Sequence, residues 1–125
     1  MSSLVIDKSA RVGAGVTFGH NVIIGGSVSI GDGCLIGSNV VIHEGSSIGA
    51  NVRIDDNSVI GKLPMRAANS IFKDEKKPDG TKIGDNAIIG ACVIIYAGAA
   101  IGEKVLVADL ASVRENVSVG AFTIV

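Results

Sequence analysis

The sequence has few of the residues that usually build a compact core. Aromatic residues make up only 3% of the 125 positions, and Trp is absent. Yet 47% of the residues are apolar, Val and Ile dominate that set, and Gly occurs 17 times. Aromatic and Leu side chains normally fill a globular interior. The composition instead suits β-branched side chains that stack in layers and are joined by many tight turns.

The sequence also has a net charge close to zero, no long apolar run and no closely spaced pair of cysteines. The formal net charge of −1 gives no electrostatic basis for binding nucleic acid or an anionic membrane. No apolar run approaches the roughly 18 residues of a transmembrane helix, and the N-terminus lacks a signal-peptide pattern. Cys34 and Cys92 form no Cys-x-x-Cys pair, so we interpret both as reduced, small packing residues. We predict a cytoplasmic protein with one domain over residues 1–125.

What the sequence does have is a period of six residues. Stepping by six from Ile6 to Ile60, and again from Ile83 to Val125, meets an apolar residue at all 18 positions. The next residue is usually Gly, and the fourth residue on is small or β-branched. This period fits neither a helix of 3.6 residues per turn nor an alternating hairpin. It predicts a short strand and a turn in each unit, with Gly supplying the turn conformation and stacked units burying the apolar side chains.

The repeated order of aliphatic residue, Gly, two variable residues, small residue and variable residue resembles the bacterial transferase hexapeptide-repeat family, in particular its sugar N-acetyltransferases. Repeats such as those beginning at Ile24 and Ile36 carry this likeness, which covers nearly the whole chain. The resemblance implies an all-β fold, a left-handed parallel β-helix with three hexads per coil, and a homotrimer. Residues one coil apart then stack about 4.8 Å from each other, which gives about six coils.

One long insertion interrupts the repeat. Ile60 and Ile83 are 23 residues apart where one hexad needs six, so 17 extra residues leave the helix within residues 62–82. The segment contains both prolines and six of the eleven basic residues. Long loops are usually functional or disordered, and resembling enzymes carry such a loop beside the active site. We expect Lys62, Arg66 and Asn69 to contact substrate, the two basic residues through phosphates. A solvated excursion is the alternative.

The other end of the repeat shows no cap. Val125 is the first residue of a new hexad. Solenoids generally need a polar or helical cap. We therefore expect the chain to be a fragment of a longer protein, with part of the donor site missing.

The candidates for a general base are the two histidines. Acyl transfer needs a group that takes the proton of the acceptor and donors that stabilise an oxyanion, and the resembling family usually uses a His with an acidic neighbour. His43 stands where the repeat has Gly, and Glu44 follows it. One coil further on is Gly61, at the root of the insertion, and Tyr96 and Arg114 continue the stack. The alternative is that His43 merely tolerates a turn position with positive φ.

A second histidine and two later residues complete the candidates. His20 falls in a different stack, away from the insertion, and we interpret it as an exposed turn residue. The resemblance implies that acetyl-CoA binds along the later coils. There, Ala108 and Arg114 stand where Gly is expected, so both are candidate cofactor contacts. A solvated corner or a subunit salt bridge is the alternative for Arg114. We expect no metal.

These features favour an acyltransferase that moves an acetyl group from acetyl-CoA to the amine of a small molecule, a nucleotide-linked amino sugar above all. His43 would act as the base and Glu44 would tune it. A lipid-A-type acyltransferase would need an apolar groove that cannot be read in the sequence. A γ-class carbonic anhydrase would need three metal-binding histidines, and the chain has two. A non-catalytic trimeric scaffold and an inactive fragment of a larger acyltransferase remain as alternatives.

Overall fold

A computed structural model of the protein describes residues 3–65, 67–68 and 78–125. Along these residues the chain forms seventeen short strands, most of them two residues long. In chain order they are β1 Leu4–Ile6, β2 Arg11–Val12, β3 Thr17–Phe18, β4 Val22–Ile24, β5 Ser29–Ile30, β6 Leu35–Ile36, β7 Val41–Ile42, β8 Ser47–Ile48, β9 Arg53–Ile54, β10 Val59–Lys62, β11 Lys82–Ile83, β12 Ile88–Ile89, β13 Ile94–Tyr96, β14 Ala100–Ile101, β15 Leu106–Val107, β16 Ser112–Val113 and β17 Ser118–Val119.

Every third strand belongs to the same sheet. Sheet 1 has the order β1-β4-β7-β10-β13-β16, sheet 2 contains β2, β5, β8, β11, β14 and β17, and sheet 3 contains β3, β6, β9, β12 and β15. The pairs are parallel and join residues one coil apart, such as Ile24 with Ile42. The fold is therefore the expected left-handed parallel β-helix of about six coils. Within the part of the chain that the structure describes, no helix has the length and apolar character needed to cross a membrane.

The aliphatic residue that begins each hexad points into the helix. Ile24, Ile42 and Ile60 follow one another in sheet 1 and are fully buried. Burial of each such side chain contributes roughly 1.5–3 kcal/mol. Because one coil cannot cover its own inward residues from both sides, this contribution depends on the neighbouring coils.

Except at Gly61, the Gly that follows the aliphatic residue does not have the role that the sequence predicts. Positive φ occurs two residues later, for example at Asn39 (φ 57°) and Gly45 (φ 78°). At Gly25, in contrast, an added Cβ atom would lie 2.8 Å from the backbone N of Glu44 in the next coil. Gly is needed there because the next coil passes so close. The left-handed turn conformation belongs to the residue two positions further on, which is most often Asn or Gly.

The interpretation of the cysteines as packing residues is confirmed for Cys34 and wrong for Cys92. Cys34 is buried, its Sγ donates to Gly49 O at 3.1 Å, and burial raises the pKa of its thiol. Cys92 is exposed and has a φ of 55°. It is the third residue after Ile89, which is the left-handed turn position, and not the fourth, which points inward.

Candidate active site

The turns that follow the strands of sheet 1 form a column along one edge of the β-helix, which we call corner 1. From coil to coil it contains Asp7, Gly25, His43, Gly61, Lys62, Tyr96 and Arg114. Adjacent coils are about 4.8 Å apart. The predicted stack is therefore present. On several of its coils, side chains that can carry charge or a proton replace the Gly of the repeat.

His43 occupies the position at which Gly25 stands one coil earlier. Its backbone N donates to Ile60 O at 2.8 Å, and the residue is exposed. The neighbour on the next coil is Gly61, whose added Cβ would lie only 3.2 Å from His43 Cβ. A side chain fits at residue 43 because a Gly lies against it. The positive φ of this turn belongs to Gly45, so the alternative that His43 tolerates a left-handed turn position is wrong.

Two buried hydroxyl groups hold the backbone of corner 1. Ser46 Oγ donates to His43 O at 2.8 Å, and Thr81 Oγ1 donates to Tyr96 O at 2.9 Å. Both residues are 0% exposed, and a buried hydroxyl without a partner would cost about 1–3 kcal/mol. The turn at His43 is thus fixed from inside while the residue itself stays open to solvent. Sequence reasoning missed both residues, and the available signal was a polar residue at an inward position.

The chain leaves the β-helix through a β-bulge. In the pairing of β10 with β13, Lys62 rather than Gly61 lies opposite Tyr96. The shift is held by a hydrogen bond in which Ala97 N donates to Lys62 O at 2.9 Å. A bulge leaves one residue unpaired and re-aims the side chains beside it. The sequence count placed Gly61 in line with Tyr96 and so missed the shift.

Lys62 and Arg114 both pack on the ring of Tyr96. Lys62 Nζ lies 5.4 Å and Arg114 Cζ 4.4 Å from the ring centroid. The two cations come from the coils on either side of Tyr96, and together they help to leave it only 6% exposed. Arg114 Nε also donates to Glu115 Oε1 at 2.9 Å, and this hydrogen bond raises the pKa of the guanidinium. Corner 1 therefore carries two cations on the coils that follow its histidine.

The other predicted site residues are more dispersed. Glu44 is exposed and directly follows the histidine of corner 1. Ala108 follows β15 in sheet 3, so it lies at a different corner from Arg114, and the two predicted cofactor contacts are not together. Arg66 and Asn69 lie outside the described residues.

His20 is exposed, as expected, and follows β3 in sheet 3. At this corner, polar side chains accept hydrogen bonds from the backbone of the preceding coil. His20 N donates to Ser38 Oγ at 3.0 Å, and Ser38 N donates to Asp56 Oδ1 at 2.8 Å. The column thus satisfies backbone donors. Among the described residues, no three His, Cys, Asp or Glu side chains converge as a metal site would require.

The repeat and its coiling define the class of protein. The family model for bacterial transferase hexapeptide (six repeats) matches residues 9–44 and 27–62, and the model for the hexapeptide repeat of succinyl-transferase matches residues 80–108. Together the two models cover more than half of the chain. The chain belongs to the hexapeptide-repeat family of bacterial transferases.

Solved structures share the fold at low sequence identity. UDP-N-acetylglucosamine O-acyltransferase (LpxA) from Moraxella catarrhalis is 21% identical with a TM-score of 0.71, and the match covers 97% of this chain and 55% of that one. The N-acyltransferase AntD from Bacillus cereus, in complex with dTDP and 3-hydroxybutyryl-CoA, is 20% identical with a TM-score of 0.71, covering 97% and 73%. The acetyltransferase domain of PglB from Neisseria gonorrhoeae, in complex with acetyl coenzyme A, is 14% identical with a TM-score of 0.70, covering 96% and 52%.

These likenesses establish the fold alone. The chain spans about half the length of the LpxA and PglB structures that it matches. No curated protein shows significant sequence similarity to the chain.

Proposed function

We propose that the chain is the β-helix of an acyltransferase that moves an acetyl group from acetyl-CoA to the amine of a nucleotide-linked amino sugar. The observation that carries this proposal is the make-up of corner 1. An exposed His43, followed by Glu44, lies one coil from the bulge at Gly61 where the chain leaves the helix. Family membership supports a transferase, and the CoA thioesters bound to the PglB domain and to AntD support such a donor. We also propose a cytoplasmic location for the protein.

In the proposed reaction, the acceptor amine lies beside His43 and attacks the carbonyl carbon of the thioester. His43 takes the proton that the amine loses, and Glu44 stabilises the resulting imidazolium. The tetrahedral oxyanion, stabilised by backbone N–H groups, then collapses. The carbon–sulfur bond breaks, an amide forms, and the imidazolium returns the proton to the departing thiolate. A thioester is already activated, so the reaction needs no covalent intermediate with the protein.

We assign the insertion between β10 and β11, within residues 62–82, to substrate binding. Lys62 stands at its root, one coil from His43, and Arg66 and Asn69 follow in the sequence. A loop that closes over an acyl-transfer site excludes water, which would otherwise compete with the amine. Ala108, at the corner that follows sheet 3, remains our candidate for a CoA contact.

We further propose that the protein is a homotrimer in which sheet 1 is the contact surface. The outward residues of this sheet are apolar on five successive coils, namely Val5, Ile23, Val41, Val59 and Ile94. The matching positions of sheet 2 are small or polar, namely Arg11, Ser29, Ser47, Lys82, Ala100 and Ser118. A continuous apolar surface of this kind is typical of a subunit interface. Since corner 1 borders sheet 1, a second copy there would lie beside His43.

The proposed reaction is tested by CoA-thiol release from acetyl-CoA with a panel of nucleotide-linked amino sugars. The same nucleotide sugars with a hydroxyl in place of the amine are the matched control. We expect thiol release, and a product heavier by one acetyl group, with an amino sugar only. Equal release with the hydroxyl sugars would reassign the reaction to O-acylation. No release with any acceptor would contradict the proposal and leave the scaffold alternative.

A further inference from the structure

We infer that Lys62 and Arg114, held against Tyr96, bind the diphosphate of the acceptor nucleotide and not the phosphates of CoA. The inference rests on the function proposed above, because it names the part of the acceptor that these residues hold. It also joins two residues that the sequence assigns separately, Lys62 to the substrate and Arg114 to the cofactor.

The first support is the way in which Lys62 reaches Tyr96. In an unbroken series of hexads, Gly61 would face Tyr96 and no cation would lie there. The bulge moves the register by one residue, and Ala97 N holds the shifted strand through Lys62 O at 2.9 Å. Bulges of this kind commonly redirect a side chain beside a functional site. The departure of the insertion therefore places a positive charge on the one Tyr of the chain.

The second support is the pairing of two like charges on one ring. Each lies within 5.4 Å of the centroid of Tyr96. Ring contacts hold both stems in place, but the two positive charges repel each other. Glu115 offsets part of this charge and engages Arg114 through Nε at 2.9 Å and Nη2 at 3.4 Å. A guanidinium has five N–H donors, so Arg114 retains others for an anion. A diphosphate has the charge and the oxygen acceptors to bridge Lys62 and Arg114.

The position of the two cations along the helix favours the acceptor over the donor. With coils about 4.8 Å apart, Lys62 lies one coil and Arg114 three coils from His43. One sugar ring separates the amine of a nucleotide-linked amino sugar from its diphosphate. An amine at His43 therefore places the diphosphate beside the pair. In CoA, the whole pantetheine arm separates the thioester from the diphosphate, so an acetyl group at His43 would carry that diphosphate past Arg114.

Binding by isothermal titration calorimetry tests the inference directly. The ligands are UDP, TDP and inorganic pyrophosphate on one side and CoA on the other. The variants are Lys62→Gln and Arg114→Gln, which keep an unbranched stem on the ring and remove the charge. Lys104→Gln is the matched control, because Lys104 Nζ lies 5.3 Å from the ring centroid of Phe122 without a second cation in contact with that ring among the described residues.

We expect each charge removal at the Tyr96 pair to raise the Kd of the nucleoside diphosphates by about 10- to 100-fold, since a hydrogen bond to a charged group contributes about 1.5–3 kcal/mol and each 1.4 kcal/mol is about a factor of ten. The Kd of pyrophosphate should rise by a similar factor, whereas the Kd of CoA should not change. Lys104→Gln should bind every ligand with the wild-type Kd. Three results would overturn the inference. They are no binding of any diphosphate to wild type, equal diphosphate Kd values in wild type and both variants, and a larger loss for CoA than for the nucleoside diphosphates.

Thiol-release kinetics separate this inference from the proposed function. With a nucleotide-linked acceptor, Lys62→Gln and Arg114→Gln should raise KM by about 10- to 100-fold, while an amino sugar without a nucleotide should react at the wild-type rate. Diphosphate binding that depends on the pair, in a protein that transfers no acyl group, would contradict the proposed function and leave the diphosphate site standing. If wild type, Lys62→Gln and Arg114→Gln all acylate the nucleotide-linked acceptor with the same KM, the proposed function would stand and the diphosphate site would be contradicted.

Discussion

At the scale of single residues, glycine serves two purposes in this fold, and Gly61 combines them. Gly25 leaves room for the next coil, whereas Gly15 takes a positive φ with nothing within 4 Å of an added Cβ. Gly61 has a φ of 83°, and its added Cβ would lie 2.6 Å from Ser46 Oγ. The bulge beside His43 is therefore a place that a larger residue would distort.

Gly61→Ala should consequently destabilise the protein more than Gly15→Ala. A left-handed conformation costs each Ala roughly 1–2 kcal/mol, and the contact with Ser46 should add about 1–3 kcal/mol at residue 61 alone. Urea unfolding of the two variants gives the comparison. Equal decreases in the free energy of unfolding for the two variants would mean that the bulge relaxes without strain and does not fix the position of His43.

The two thiols should also differ in reactivity. Cys34 is buried and its thiol has a raised pKa, so little reactive thiolate reaches solvent. Cys92 is exposed at a turn. Iodoacetamide at neutral pH should alkylate Cys92 in the native protein and reach Cys34 only after denaturation, as read by peptide mass spectrometry. Modification of both at the same rate in the native protein would contradict the closed interior.

At the scale of elements, each two-residue strand has one outward residue and one inward residue. In β6, Leu35 is 52% exposed and Ile36 is 3% exposed. The coils above and below cover only the inward residue. Adjacent positions of one strand therefore make very different contributions to stability.

Ile36→Ala should lower the free energy of unfolding by about 2–5 kcal/mol, whereas Leu35→Ala should change it by less than about 1 kcal/mol. Both substitutions shorten an aliphatic side chain in the same strand, so each controls for the other. Urea denaturation curves measure the difference. Similar losses for the two variants would be incompatible with the inward and outward sides assigned to β6.

The strands and their inward sides were predictable from the hexad count, because the environment of a side chain recurs with every coil. The bulge at Gly61 was not, since the count assumes an unbroken ladder and the bulge arises where the insertion departs. The roles of Ser46 and Thr81 were not predictable either, because the sequence does not show which backbone carbonyl accepts the hydrogen bond of an inward hydroxyl. Cys92 was misread although the count places it one residue before the inward position.

At the scale of the whole molecule, the three sheets present different surfaces. Only sheet 1 has an apolar residue at its outward position on each of five successive coils along the described chain. The hexad count that predicts the coils also separates Ala108 from Arg114, because residues six apart in the sequence lie at successive corners of the helix. What the count could not show is that Lys62 and Arg114 share Tyr96. That contact depends on the bulge.

If sheet 1 is the contact surface of a trimer, Ile23→Asp should dissociate it, because association would bury an unpaired charge at a cost of several kcal/mol. Ser29→Asp, on the outward side of sheet 2, is the matched control and should leave the trimer intact. Light scattering coupled to size-exclusion chromatography gives the mass of each variant. A wild-type monomer, or a trimer disrupted by Ser29→Asp and not by Ile23→Asp, would reject this surface.

We propose that acyl transfer takes place at corner 1, with His43 as the base. The most direct test compares His43→Ala with His20→Ala in CoA-thiol release from acetyl-CoA, using the acceptor that wild type acylates. The loss of a general base should lower kcat by about 10²–10⁴-fold in His43→Ala, while His20→Ala should keep the wild-type rate and both should keep the wild-type unfolding midpoint. Wild-type turnover in a folded His43→Ala protein, or an equal loss of turnover in His20→Ala, would contradict the assignment of His43 as the base.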